Sequence, residues 1–304
     1  MRTITGRMNV LPFAACLLTL LWALAPSAQA QTPAAPEVMA GLKLSAGGKP
    51  ITYAQLLARC KEADVIFFGE LHDDSIGHLA EQELLEDLAA LPGPLALGLE
   101  MLETEDQTVL DEYRSGFATQ AQLEASANLW GNWETDYLPL VRFAVQRKLP
   151  IYATNVPRRY ASLVARRGLP ALDSLSEQAK LWIAPLPIMV PYQQSSYQKM
   201  RGMMAGHGMA DTAATNRFVA AQAIKDATMG YIIARNRPAG GRLLHINGSF
   251  HSDYNEGILY YLRRNDPRVR TLTISYRPTG AEDAGNKALA DIVVVGPARP
   301  AGKP

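Results

Sequence analysis

Hydrophobic and polar positions along this chain follow two periods in turn. Short apolar runs at 64–68, 95–99, 150–153, 243–246, 271–275 and 292–295 read as buried strands. Between them, apolar positions recur every three or four residues, as at Ile76, Leu79, Ala80, Leu84, Leu85 and Leu88. That spacing predicts helices over 75–90, 107–114, 120–128, 137–148, 213–234 and 257–264. Pro92-Gly93-Pro94 ends the first of these. Gly47-Gly48-Lys49-Pro50 reads as a turn leading to Thr52, a helix N-cap. Residues 169–208 are rich in Pro, Gln, Met and Tyr and weakly periodic, which predicts a helical, loop-rich excursion over the sheet. Strands alternating with helices predict an α/β fold, with a mostly parallel central sheet and helices on both faces.

The two ends follow a different pattern. Arg2 and Arg7 precede an apolar stretch over 8–24, and Ala28-Gln29-Ala30 matches a small-residue cleavage signal. Residues 1–30 are therefore expected to be a signal peptide cut after Ala30, delivering the chain to the periplasm or the exterior. Phe13-Ala14-Ala15-Cys16 faintly resembles a lipid-attachment box. An apolar stretch follows Cys16 where a polar tether would be needed, so soluble secretion is the favoured reading over a lipid anchor. Residues 31–46 are expected to be a flexible tether, 47–297 a single α/β domain, and 298–304 a disordered tail.

Composition narrows the function. Removing Arg2 and Arg7 from the 30 Lys and Arg leaves 28, against 29 Asp and Glu. With no basic stripe, nucleic-acid binding is not expected. Cys60 is the single cysteine after the leader, so no intramolecular disulfide is expected. A small buried apolar role suits it.

The chemistry collects at strand ends. Gly69-Glu70-Leu71-His72 and Gly248-Ser249-Phe250-His251 repeat a Gly-X-X-His tetrad, each after an apolar strand. Glu100 and Asn155 end two further strands. Ligands of open α/β sheets bind beyond the carboxyl ends of strands, so His72, Glu100, Asn155 and His251 are expected to share a pocket. Two imidazoles and a carboxylate suit a divalent metal with an open position, as in catalytic zinc sites. Pro157 starts a helix whose free N–H groups, with Arg158 or Arg159, suit an anion. Gln222, Asp226, Met229 and Ile233 fall on one face of a long helix, extended by Phe218. His207 sits among Met203, Met204 and Met209, with Tyr192 and Tyr197 upstream, and these could line a site for a flat apolar cofactor. His78 reads as a helix-face residue and His245 as a buried strand residue, and neither is assigned to the site.

These residues, taken in order, resemble a known group. Gly69-Glu70-Leu71-His72-Asp73, Leu99-Glu100-Met101-Leu102, Trp133 with Tyr137-Leu138-Pro139-Leu140, Asn155-Val156-Pro157-Arg158, the 221–229 stretch and Gly248-Ser249-Phe250-His251 are similar to the ChaN-type haem-binding family. The resemblance spans residues 50–275. A wider group, with Tiki-type metalloproteases, TraB-type proteins and erythromycin esterases, shares the two tetrads and the strand-end glutamate, matched here by His72, His251 and Glu100. The resemblance implies an envelope haem-binding protein linked to haem and iron uptake. It also implies a homodimer holding haem through tyrosine, working with envelope haem-transport components. Tyr192, Tyr197 and His207, with Asn155 and Arg158, are the cofactor candidates. The alternative is a metal-dependent hydrolase using His72, Glu100 and His251.

Overall fold

The computed structural model describes residues 2–3, 37–206 and 212–298. The expected leader, Cys16, His207 and the tail beyond residue 298 lie outside the described residues. The described residues from 37 onward belong to one compact unit.

The chain enters through a hairpin, β1 (Lys43–Ala46) and β2 (Lys49–Ile51), turning at Gly47 and Gly48, both at positive φ. β1 occupies the last residues of the expected 31–46 tether, whose residues 31–36 lie outside the described ones. Leu44 is buried and Met39 is fully buried, so the segment from residue 39 is packed onto the domain. Thr52 then caps α1 (Tyr53–Glu62) in a reciprocal box with Gln55. Cys60 is buried within this helix.

Four strand–helix passages follow. They run β3 (Val65–Glu70) to α2 (Ser75–Ala90), and β4 (Leu95–Glu103) to α3 (Gln107–Arg114), α4 (Gln120–Ser126) and α5 (Leu138–Gln146). Next come β5 (Ile151–Asn155) and α6 (Arg158–Arg167). The excursion after α6 resolves into a 3₁₀ turn at Leu169–Ser174, α7 (Glu177–Lys180), an irregular stretch and α8 (Ser195–Gly206). The long α9 (Thr212–Asn236) leads to β6 (Arg242–Gly248), α10 (Ile258–Asn265), β7 (Thr271–Pro278) and β8 (Ile292–Gly296). The eight strands form one sheet in the order β2-β1-β8-β7-β3-β6-β4-β5. All neighbours from β8 to β5 pair in parallel, while β1 pairs antiparallel with both β2 and β8.

Alternation along the strands divides the core. Ile66 and Phe68 of β3 face α1, α2 and α5, whereas Val65 and Phe67 face α9 and α10. On β4, Leu97 and Leu99 join the first core and Ala96 joins the second. The same parity governs the polar strand ends. Glu70 continues the Ile66–Phe68 face toward α2, and Glu100 continues the Ala96 face toward α9. The sheet thus sends its two terminal carboxylates to opposite sides. Since β3 and β4 both border β6, both strand ends open onto one edge.

Candidate functional site

The two tetrads meet. Gly69 and Asn247 are register partners on β3 and β6, so the loops after these strands leave the sheet side by side. A Cβ on Gly69 would lie 3.0 Å from the Ser249 Cα. A Cβ on Gly248 would lie 2.6 Å from His72 Cε1 and 2.7 Å from His72 Nε2. Glycine at 248 therefore lets the first histidine lie against the backbone of the second tetrad.

Each histidine has its own carboxylate support. His72 Nδ1 is 2.6 Å from Glu70 Oε1, which also accepts from the Tyr137 hydroxyl at 2.8 Å. The His72 backbone carbonyl accepts from Asn132 Nδ2 at 2.8 Å, and Trp130 stands edge-on to the ring at 4.7 Å. His251 is fully enclosed. Its Nδ1 hydrogen-bonds Asp226 and its Nε2 lies 3.0 Å from Glu100 Oε1. Glu100 Oε2 accepts from the Gly248 amide at 2.8 Å, and Asp226 Oδ2 accepts from the Tyr197 hydroxyl at 2.6 Å.

Charge follows from these contacts. Burial opposes a charge on His251, but Glu100 and Asp226 outweigh it and raise its pKa to about 10. Burial would likewise raise Glu100, yet the charges of His251, His72 and Lys225 keep it well below the usual carboxylate range. His72 is raised despite burial, by its bond to Glu70 and the charge of Glu100.

Behind His72 lies a buried group that strand-end reasoning missed. His78 Nδ1 is 3.0 Å from Glu70 Oε2 and 3.4 Å from Glu81 Oε2, while its Nε2 lies 3.2 Å from the His72 carbonyl. Burial works against the imidazolium, but Glu70 and Glu81 lift His78 to about 11. Burial, then the Glu70 charge, pushes Glu81 well above the carboxylate range, which favours its neutral form. His78 lies on the buried face of α2 and supports the group behind His72, without lining the pocket. Of the expected face of α2, Ala80, Leu84, Leu85 and Leu88 are buried and Leu79 is 41% exposed, while Gly77, His78 and Glu81 are buried as well. An acid in line with Leu84 and Leu88 was the available signal.

The pocket so formed holds about 610 Å³ and is lined by both tetrads, Glu100, Trp130 and Met200 among others, with Gln222 and Lys225 from α9. Of the expected site residues, His72, Glu100 and His251 come together in it. Asn155 ends β5 as expected, but it is not a lining residue; it is buried, and its Oδ1 makes no hydrogen bond. Arg158 is engaged by Glu103 and the Asn128 carbonyl, and Arg159 by Glu105, away from the pocket lining. Tyr197 is buried, and burial with the Asp226 charge keeps it a phenol. Tyr192 is half-buried beside it in the excursion. His245 is buried in β6, bonded to Thr154 at 2.8 Å and Asn247 at 3.0 Å, and burial lowers it to about 4.

Two sets of side chains bear on a metal. Among the described residues, the donor atoms that all lie within 4.8 Å of one another belong to Glu70, His78 and Glu81, rather than to His72, Glu100 and His251. Both nitrogens of His251 are already spent on carboxylates. Among the described residues no helix is long and apolar enough to cross a membrane.

Comparison with known proteins agrees with this architecture. The ChaN protein of Campylobacter jejuni, in a structure described as cofacial heme binding, aligns with a TM-score of 0.64 at 18% identity. The alignment covers 83% of this chain and 96% of that one. An erythromycin esterase mutant in its open conformation aligns at 0.47 and 14% identity, over 80% of this chain and 78% of that one. The type III effector HopBA1 aligns at 0.43 and 16%, over 87% and 99%. No curated protein sequence matches the chain. The family model described as "Haem-binding uptake, Tiki superfamily, ChaN" matches residues 56–262, well over half of the chain, and the protein belongs to that family.

Proposed function

We propose that this protein binds haem in the pocket between the two tetrads, with the iron on His72 Nε2. The observation that carries this reading is the state of His72. Its side chain is 43% exposed and lines the pocket, and its Nδ1 is held by Glu70, which leaves Nε2 as the nitrogen a metal would take. The carboxylate behind the ring makes the imidazole a stronger iron ligand. Trp130, Leu71, Met200 and Phe250 supply an apolar wall suited to a macrocycle, and the volume falls within the range of cofactor sites. Family membership supports haem as the ligand.

A role in haem uptake at the envelope is part of the same proposal, supported by the leader-like residues 1–30. A second arrangement, in which two copies of the chain hold haem through Tyr192, follows from the family resemblance, and cofacial heme binding in the Campylobacter jejuni protein is compatible with it. A hydrolase is the weaker reading, because His251 lacks a free nitrogen for a metal.

Titration of the purified chain with haem tests the proposal. One haem per chain is expected, with a Soret band that shifts in His72→Ala and not in Tyr192→Phe. A shift confined to Tyr192→Phe would move the iron to the excursion. No stoichiometric uptake would end the haem reading.

A further inference from the structure

We infer that Glu70, His78 and Glu81 form a closed site for one divalent cation of the zinc type, behind the pocket rather than in it. Of the three, only Glu70 also lines the pocket. The inference does not rest on the haem reading.

The fold brings three ligand atoms together out of solvent. Glu70 ends β3, and His78 and Glu81 lie three residues apart on the buried side of α2. Glu70 is 1% exposed, His78 5% and Glu81 0%. One donor atom from each falls within 4.8 Å of the other two. His78 Nδ1 is 3.0 Å from Glu70 Oε2 and 3.4 Å from Glu81 Oε2. Two ligand atoms at about 2.0–2.1 Å from a tetrahedral zinc stand roughly 3.4 Å apart, so the spacing is already that of a shared ion. The surrounding groups fix the ligands. His78 Nε2 faces the His72 carbonyl at 3.2 Å, and a proton held there leaves Nδ1 as the nitrogen for a metal. The Tyr137 hydroxyl donates to Glu70 Oε1 at 2.8 Å, on the side away from the cluster.

The oxygens aimed into this cluster need a partner. Glu70 Oε2 and Glu81 Oε1 are both shut off from solvent, and neither has a hydrogen-bond donor. The contact from Nδ1 to Glu81 Oε2 is long, at 3.4 Å. Two protons can hold the group, one on Nδ1 and one between the carboxylates. A single divalent cation in their place bonds all three atoms at once. With two carboxylates and a neutral imidazole the charges sum to zero, as a buried site requires. Binding then expels one proton from His78 Nδ1 and one from the Glu81 carboxyl, the groups whose protonated forms the metal-free cluster favours. An imidazole nitrogen among the donors selects zinc over calcium or magnesium.

The full chain, produced with zinc in the medium and purified without chelator, should carry about one zinc per chain by elemental analysis. Glu81→Gln should lower that content at least about tenfold. His72→Ala should keep it, because His72 is no ligand here. Zinc should raise the urea midpoint of the chelator-stripped wild type and leave that of Glu81→Gln unmoved. Zinc added to the stripped wild type near pH 7 should release about two protons. Absence of zinc from the wild type, or zinc that survives in Glu81→Gln, would overturn the site. Zinc lost in His72→Ala would place the ion in the pocket and overturn it equally. Should Glu81→Gln fail to fold, the wild type alone decides, since zinc uptake without proton release would overturn the site.

Discussion

The His72 imidazole rests against the α-carbon of Gly248, so the histidine of one tetrad is seated on the glycine of the other. A methyl group at 248 would lie 2.6 Å from the ring, closer than side-chain carbons ever approach. Gly248 has φ −56°, an ordinary backbone angle, so the constraint is space rather than conformation. Gly248→Ala should therefore keep the fold, at a cost of about 1–3 kcal/mol from overpacking. The ring must swing away, and haem affinity should fall at least about tenfold. Far-UV circular dichroism with a haem titration checks this. Unchanged affinity would mean that His72 does not need its seat.

The buried group behind His72 gives a contrast between two neighbouring positions. His78 is the buried cation between Glu70 and Glu81, so His78→Asn leaves Glu70 with His72 and Tyr137 but strips its Oε2 of its charged partner. The cost should be about 3–5 kcal/mol, read as a lower urea midpoint at unchanged m. Burial and the charge of Glu70 both favour a neutral Glu81. Glu81→Gln replaces one neutral side chain by another of the same shape and should cost under about 1.5 kcal/mol. Equal losses in the two variants would mean that both carboxylates are ionised.

Much of this organisation is written in the sequence, and the gaps have physical causes. The inner strands are covered on both sides, so they appear as apolar runs such as 65–68. Placing His72, Glu100 and His251 needed only the rule that parallel strands end at a common edge. The β1–β2 hairpin escaped notice because only Leu44 of its residues is buried. Strand ends say nothing about helices, so His78 and Glu81 were lost to a face counted by hydrophobicity alone. The partners of Arg158, Glu103 and the Asn128 carbonyl, lie 55 and 30 residues away, beyond any local pattern. Asp226 was visible as one polar member of a stripe, but its bond to His251 depends on how α9 packs over β6.

Stability of the ligand-free protein should decline on the alkaline side of neutrality. His251 titrates at 6.5 when unfolded and at about 10 when folded. Below 6.5 both states hold the proton, and its ion pairs contribute fully. Between 6.5 and about 10 the folded state binds more protons than the unfolded state. Unfolding free energy should then fall with rising pH, by up to about 1.4 kcal/mol per pH unit for each such group. His78, raised to about 11, adds a slope of the same sign. Glu100, lowered on folding, acts at the other end, where its contribution is lost as pH falls below 4.5. Urea unfolding from pH 6.5 to 9.5, with imidazole resonances followed by NMR, tests this. Stability that is flat or rising over that interval, or a His251 signal that titrates near 6.5, would show that the imidazolium is not held.

Tyr197 separates support from ligation. Its hydroxyl donates to Asp226 at 2.6 Å inside the core, and Asp226 in turn holds His251. Tyr197→Phe keeps the ring and removes one hydrogen bond to a buried carboxylate, which should cost about 1–3 kcal/mol. Asp226 then loses a donor that favours its charge, and the His251 pKa should drop as that charge weakens. The haem spectrum should not change, because a phenol turned toward Asp226 does not reach iron in the pocket. The measurement pairs an unfolding curve with a Soret titration. A Soret band lost in Tyr197→Phe while stability holds would make this tyrosine the iron ligand and would require α8 to open away from Asp226.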